Sequence, residues 1–262
     1  MTEQAGFRER VARGDLLLGA FLQLGSPVAA EIAARTGIDW ALIDLEHGSG
    51  TEGDLLPQLQ ALAAVGTAAM VRVESLSRLR IGRVLDLGAQ GVMVPQVNDA
   101  RDAGDLARFL RYPPLGVRGV GLSARGAGYG SAKHSDVDSI SRSLVGIAQI
   151  ETREGLEHAA EIASVDGIDV LFVGPSDLSH ALGVPGEFDD KTYMDAIETI
   201  SRAAQDHHKA AGVHIPASTE FQRYYSKGFR FISIGSDNAA ISADLRNRVR
   251  LARDAGEGGP QA

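Results

Sequence analysis

Val145-Gly-Ile-Ala-Gln-Ile-Glu151 and, further along, Asp169-Val-Leu-Phe-Val-Gly-Pro-Ser-Asp177 decide the fold. Each is an apolar run rich in β-branched residues that stops on a carboxylate, and residues 152–163 between them carry a helical pattern. Strand, helix, strand is a β-α-β unit, whose parallel strands open their C-terminal ends on one edge. Glu151 and Asp177 are therefore expected to face each other there, beside Gln149 and the turn Gly174-Pro175-Ser176. Two hard oxygen ligands on one rim suit a divalent cation such as Mg²⁺, Mn²⁺ or Co²⁺. The competing reading is helix capping, by Glu151 ahead of Thr152 and by Asp177 ahead of residues 178–182.

Outward from this unit the alternation repeats. Strand patterns lie near 16–23, 40–44, 69–73, 91–95, 145–150, 170–173, 212–215 and 231–234. Helical patterns fall at 28–36, 52–65, 77–87, 100–109, 156–164, 193–211, 219–227 and 239–255. Gly37, Gly66, Gly88, Gly212, Gly228 and Gly256 stand where a helix C-terminus favours glycine. Eight strand-helix pairs without a linker predict one α/β domain over residues 1–254, a (β/α)8 TIM barrel, with 255–262 a disordered tail of turn formers. An open doubly wound sheet fits less well, because the first strand-to-helix turn, Gln23-Leu-Gly-Ser-Pro27, lacks the dinucleotide fingerprint. The Gly-, Arg- and Ser-rich segment 112–139 follows the fourth strand and is expected over the barrel mouth.

Composition removes several classes of function. A net charge of −8 argues against nucleic acid or an anionic membrane as the main partner. The absence of cysteine rules out thiolate chemistry and disulfides. The charged start of the chain lacks an apolar leader pattern and no run approaches the roughly 18 apolar residues of a membrane span, which points to the cytoplasm.

Barrel chemistry sits at the C-terminal strand ends. There this chain offers Asp44 and His47 after the second strand, Arg72 in the third, Gln149 and Glu151 in the fifth, Asp177 after the sixth and His214 in the seventh. A cation held by two carboxylates keeps open positions and can chelate a 2-oxo acid. Arg72 is placed to hold the oxo oxygen as charge builds there, unless it is spent on a structural bridge to Glu74 or a neighbouring acid. His47, oriented by Asp44 or another acid, is a proton shuttle. Backbone N–H groups of Gly174-Pro175-Ser176 are candidates for the substrate carboxylate. Asp86, in the last turn of its helix where an acid opposes the dipole, is a further candidate. Lys133, Lys191, Lys209 and Lys227 lie outside apolar strands, so the desolvated lysine of a Schiff-base aldolase is missing. The set suits a reversible aldol reaction; a different metal-enolate lyase or mutase and a non-catalytic oxo-acid binder remain open.

Ile43-Asp-Leu-Glu-His47, Val94-Pro-Gln-Val97, Arg111-Tyr-Pro-Pro-Leu-Gly-Val-Arg-Gly-Val-Gly121, Gln149-Ile-Glu151 and Val173-Gly-Pro-Ser-Asp-Leu-Ser179 carry a resemblance. Together they resemble the metal-dependent (class II) 2-oxo acid aldolases of the 4-hydroxy-2-oxoheptanedioate aldolase family, in order from about Gly19 to Arg248. The resemblance implies a barrel whose eighth helix is exchanged between subunits, in a homo-hexamer built as a trimer of dimers. It implies metal on Glu151 and Asp177, pyruvate or hydroxypyruvate enolate held by Arg72 and Gln149, and proton transfer by His47 with Asp44. It also implies an acid reaching the histidine from a neighbouring subunit, and Asp86 matches that position. Phe21, where relatives can carry tryptophan, and His214, where they more often carry an apolar residue, would line the aldehyde half of the pocket. A histidine there is expected to donate a hydrogen bond to a hydroxyl or carboxylate of the aldehyde.

Overall fold

The computed structural model describes residues 6–215 and 220–257. Its strands are β1 (Leu17–Leu22), β2 (Trp40–Asp44), β3 (Ala68–Arg72), β4 (Gly91–Val94), β5 (Val145–Ile150), β6 (Val170–Val173), β7 (Ala210–His214) and β8 (Phe229–Ser236). All pair in parallel, each with the next, and β8 returns to β1, so the sheet closes into the expected barrel.

Strand side chains alternate between faces. Leu17, Phe21, Trp40, Leu42, Ala68, Met70, Met93, Val145, Ile147, Val170, Phe172, Ala210 and Phe231 fill the barrel interior. The intervening residues, such as Ala41, Ile43, Val71, Ala148 and Leu171, pack outward beneath the helices. Both faces are therefore apolar, which is why these strands read as continuous hydrophobic runs. Trp40 stacks on Phe231 at 4.0 Å and gives its Nε1–H to the Leu17 carbonyl at 3.1 Å. Gly19 lies beside Trp40 in register, and a Cβ there would meet the indole at 2.1 Å.

The covering helices include α2 (Pro27–Ala34), α3 (Glu52–Val65), α4 (Arg78–Asp86), α5 (Ala100–Leu110), α7 (Arg153–Glu157), α8 (Ala159–Ser164), α9 (Pro175–Leu182), α10 (Lys191–Asp206) and α11 (Phe221–Tyr225). The expected helix at 219–227 starts at a position, Thr219, outside the described residues; its described part is α11. Gly37, Gly66, Gly88 and Gly228 take the left-handed backbone that favours glycine. Gly212 does not end a helix. α10 stops at Asp206, His208 takes the left-handed turn, and Ala210 and Ala211 are already paired with Val170 and Leu171 in the sheet. Gly256 lies inside α12 (Asp237–Glu257), so residues 255–257 are helical rather than tail; 258–262 lie outside the described residues. No helix among the described residues is long and apolar enough to cross a membrane.

Two elements escape the strand-helix alternation. α1 (Phe7–Ala12) precedes the first strand and closes the N-terminal end of the barrel. Phe7 packs edge-on against Phe231, and Arg8 and Arg10 pair with Asp169 and Asp39, the acids just before β6 and β2, at 2.8 and 2.7 Å. The segment 112–139, expected over the mouth, lies at the opposite end. It follows α5, which has already carried the chain back down the outside of the barrel. Its Arg118 pairs with Asp86 at 2.8 Å, its Arg125 bonds the Leu87 carbonyl at the end of α4, and it shares a rear cavity with Gly6–Glu9 of the N-terminal segment. Two short 3-10 turns, Arg125–Ala127 and His134–Asp136, and the helix α6 (Val137–Ser143) order it.

Gly19→Ala should lower unfolding stability by about 1–3 kcal/mol, because the fully buried Trp40 ring has nowhere to move. Denaturant unfolding measures it, and an unchanged midpoint would contradict this packing.

Candidate active site

The inward parity of the packed strands continues onto the rim. Two residues past Leu42 comes Asp44, past Met70 comes Arg72, past Ile147 come Gln149 and then Glu151, past Phe172 comes Gly174, and past Gly212 comes His214. A cavity of about 340 Å³ at this mouth is lined by Phe21, Gln23, His47, Arg72, Gln149, Phe172, Gly174, Pro175, Ser176, Asp177, His214 and Ser236.

Arg72 is 6% exposed, and its partners are not Glu74, which pairs with Arg80. Its Nε and Nη2 donate to the two oxygens of Asp44 at 2.9 and 2.7 Å, a two-point clamp between register partners on β2 and β3. Burial opposes the charge on Asp44, but the guanidinium, the Gln23 amide and the His47 backbone N–H together hold its carboxyl below the usual range. Arg72 Nη1 lies 3.5 Å from Gln149 Oε1, and its guanidinium carbon sits 5.3 Å from the centre of the Phe21 ring.

Glu151 is 4% exposed. One oxygen accepts the Gln96 backbone N–H at 3.0 Å, and the other accepts the Gln149 side-chain amide. Gln96 reaches this position with a left-handed backbone, φ 52°, unusual outside glycine. Gly174 makes room: a Cβ there would meet Glu151 Oε2 at 2.2 Å and Gln149 Nε2 at 2.8 Å. Glu151 does not cap α7; that role belongs to the Thr152 hydroxyl. Asp177 lies within the first turn of α9 rather than ahead of it, is exposed to the cavity, and accepts no hydrogen bond from the described residues.

The expected roles of three groups change. Asp44 does not orient the His47 imidazole, because its oxygens are taken by Arg72, Gln23 and the backbone N–H groups of Glu46 and His47. The largely exposed His47 ring has Glu46 as its nearest carboxylate, 3.9 Å from Nε2. Of the Gly174-Pro175-Ser176 turn, the Gly174 N–H is spent on the Ile150 carbonyl at 3.2 Å and proline has none, which leaves Ser176 and Asp177 as backbone donors. Asp86 is paired with Arg118 at the rear and is not in this chain's own mouth. Phe21 and His214 stand together as expected, ring centres 5.0 Å apart, and burial together with Arg72 pushes the imidazole down to about 4. None of the four lysines lines the cavity.

Glu46 and Gln96 stand in the strand-end motifs that the sequence marks but carry no role there, and Gln23 and Ser233 join the site with no such mark. Glu46 shares the parity of Asp44, a signal that was available. Its Oε2 is buried 3.2 Å from Arg72 Nε but finds no hydrogen bond, because that N–H is aimed at Asp44. Burial raises the Glu46 carboxyl, and Asp44 and Asp177 add to the rise.

These residues fit a divalent cation. A buried Glu46 oxygen without a hydrogen bond, a Glu151 carboxyl raised by burial first and by Asp177 second, and an Asp177 that accepts no hydrogen bond from the described residues are groups that a cation would satisfy. Among the described residues no third acid or histidine completes a cluster, so Glu151 and Asp177 would be the protein ligands and other positions would stay open. Burial first, then Asp177, pushes the Glu151 carboxyl from its ordinary 4.5 up to about 7. The native state keeps this proton where the unfolded chain has lost it, so this contribution to stability in the absence of a cation falls as pH rises through that window. Excess Mg²⁺ should therefore raise the Tm clearly at pH 8 and little at pH 5.5, and Glu151→Gln should abolish the shift. An equal shift at both pH values in calorimetry would exclude Glu151 as a ligand.

The sequence profile described as HpcH/HpaI aldolase/citrate lyase matches residues 17–243. The chain is 40% identical over 253 residues to a hydroxypyruvate/pyruvate aldolase of Delftia acidovorans, covering 95% of this chain and 94% of that protein. It is 37% identical over 256 residues to a 2-keto-3-deoxy-L-rhamnonate aldolase of Escherichia coli, covering 97% and 95%. An HpcH/HpaI aldolase/citrate lyase family protein of Burkholderia cenocepacia superposes with a TM-score of 0.89 at 30% identity, over 94% of this chain and 98% of that one. The chain belongs to the HpcH/HpaI aldolase/citrate lyase family and, with it, to the carbon–carbon lyases.

Proposed function

We propose that the protein is a metal-dependent aldolase that reversibly cleaves 4-hydroxy-2-oxo acids into pyruvate, or hydroxypyruvate, and an aldehyde. The observation that carries this reading is a buried guanidinium fixed by Asp44, with Glu151 and Asp177 close by, at a cavity lined by Arg72 and Asp177 and by no lysine. The names of the two aldolase relatives support it. Mg²⁺, Mn²⁺ or Co²⁺ held by Glu151 and Asp177 would supply the positive charge that lowers the cost of forming an enolate from a 2-oxo acid.

The chain's own groups divide the remaining work. Arg72, held by two bonds to Asp44, turns Nη1 toward Gln149 and is the donor for the oxo oxygen as negative charge grows on it. The Ser176 and Asp177 backbone N–H groups, at the positive end of α9, take the substrate carboxylate. His47, exposed at the mouth with Glu46 alongside, exchanges the C4 hydroxyl proton with solvent. Phe21 and His214 meet the aldehyde half.

We also propose that the active assembly is a homo-hexamer, a trimer of dimers in which α12 is exchanged and Asp86 approaches His47 of a neighbouring subunit. Supporting this, α12 is exposed along most of its length and carries Ile241, Leu245 and Val249 in one stripe, while Val28 and Ile32 of α2 are exposed apolar residues as well. A cytoplasmic setting is proposed on the cysteine-free, acidic composition.

Chelated protein should not cleave a 4-hydroxy-2-oxo acid, and Mg²⁺, Mn²⁺ or Co²⁺ should restore cleavage. Borohydride added with pyruvate should trap no lysine adduct; full activity after chelation, or a trapped adduct, would overturn the mechanism. Arg72→Lys should slow both cleavage and solvent exchange of the pyruvate methyl protons by about a hundredfold, whereas normal exchange would assign Arg72 to structure alone. Replacing Ile241, Leu245 and Val249 by serine should reduce the mass seen in sedimentation. A parent protein that sediments as a monomer would refute the assembly.

A further inference from the structure

His214 ends β7 directly opposite Ser233 of β8, so their inward side chains are neighbours. Ser233 is fully buried, with Oγ 2.9 Å from His214 Nδ1 and 3.2 Å from the Gly235 carbonyl. That carbonyl folds back because Gly235 takes φ 144°, a backbone that L side chains rarely adopt. The hydroxyl has a single proton and the carbonyl oxygen can only accept. With the proton given to Gly235, the Ser233 oxygen accepts the Nδ1–H of His214. The opposite ring nitrogen, Nε2, is then bare. It has no hydrogen-bond partner among the described residues, and His214 lines the cavity. The edge-on contact with Phe21 fixes the ring plane.

We propose that His214 selects the aldehyde by presenting Nε2 as a hydrogen-bond acceptor, so that the aldehyde half carries a hydroxyl and not a carboxylate. The proposal rests on the aldolase reading. It narrows what the sequence suggested, because a donor would serve either group, whereas a bare imidazole nitrogen rewards O–H and sets lone pair against lone pair with a carboxylate. Burial and the Arg72 guanidinium keep the ring neutral near pH 7 and so keep that nitrogen bare. An apolar aldehyde would leave the buried acceptor unmatched. Ser233 is a positioning residue that acts through the tautomer.

Imidazole ¹⁵N spectra of the Mg²⁺-loaded protein at pH 7.5, with His214 assigned through His214→Leu, should show Nδ1 protonated and Nε2 bare. With pyruvate as the nucleophile, the parent should prefer glycolaldehyde to propanal and to glyoxylate. His214→Leu should lower the glycolaldehyde-to-propanal ratio of kcat/KM by about ten- to a hundredfold. His214→Asn, whose amide oxygen can accept, should recover part of it. Ser233→Ala should release the tautomer and improve the relative use of glyoxylate. Pyruvate methyl exchange is followed alongside in each variant, and a ratio that changes far more than exchange does assigns the effect to the aldehyde half. A proton on Nε2, a parent preference for glyoxylate, or an unchanged ratio in His214→Leu would overturn the proposal. Absence of methyl exchange in the parent would instead overturn the aldolase reading, and the substrate half of this proposal with it, while the spectra still decide the tautomer.

Discussion

The buried pair between Asp44 and Arg72 organises the mouth of this barrel. A guanidinium this far from water costs several kcal/mol unless an anion matches it, and two parallel hydrogen bonds between register neighbours match it in direction as well as charge. Everything near it follows from that match. Because Nε and Nη2 are spent on Asp44, the other edge of the guanidinium turns to Gln149 and the open cavity. Because Asp44 is spent on Arg72, it is lost to His47, and Glu46 becomes the acid beside the imidazole. The same positive charge, together with burial, holds His214 neutral.

The pair could not stand where it does without the core beneath it. A strand has only two faces, and here the inner one is packed solid from Leu17, Trp40 and Ala68 up to Phe21, Leu42 and Met70. The first polar residues on that face have no choice but to project into the mouth. Slipping one strand by a single residue would turn its rim group outward and its apolar residues away from the barrel. Catalytic geometry and core packing are thus one constraint expressed at two heights. Gly19 and Gly174 serve it at those two heights, the first clearing space for Trp40 and the second for Glu151 and Gln149.

Much of this was legible in the sequence because period and chemistry coincided. Strands buried on both faces wrote themselves as apolar runs, and the carboxylates and arginine that end them marked the rim. What failed were inferences that needed a third dimension. Ala210 and Ala211 are small enough for helix or strand, and only pairing with Val170 and Leu171 decides between them. The segment 112–139 was assigned to the mouth from the strand before it, although α5 intervenes and reverses the direction. Asp44 and His47 are close in sequence, yet a residue on the next strand, Arg72, outcompetes the imidazole. Glu46 was hidden by standing between two residues that drew the functional reading, although its parity with Asp44 pointed inward.

At the other end of the barrel α1 seats Phe7 against Phe231, under the stacked ring of Trp40. The interior is a filled column with a stopper, and traffic through it is impossible. Whatever enters above Arg72 must leave the way it came, in reverse order of depth. That the way in is also the way out follows from a phenylalanine at the far end of the fold.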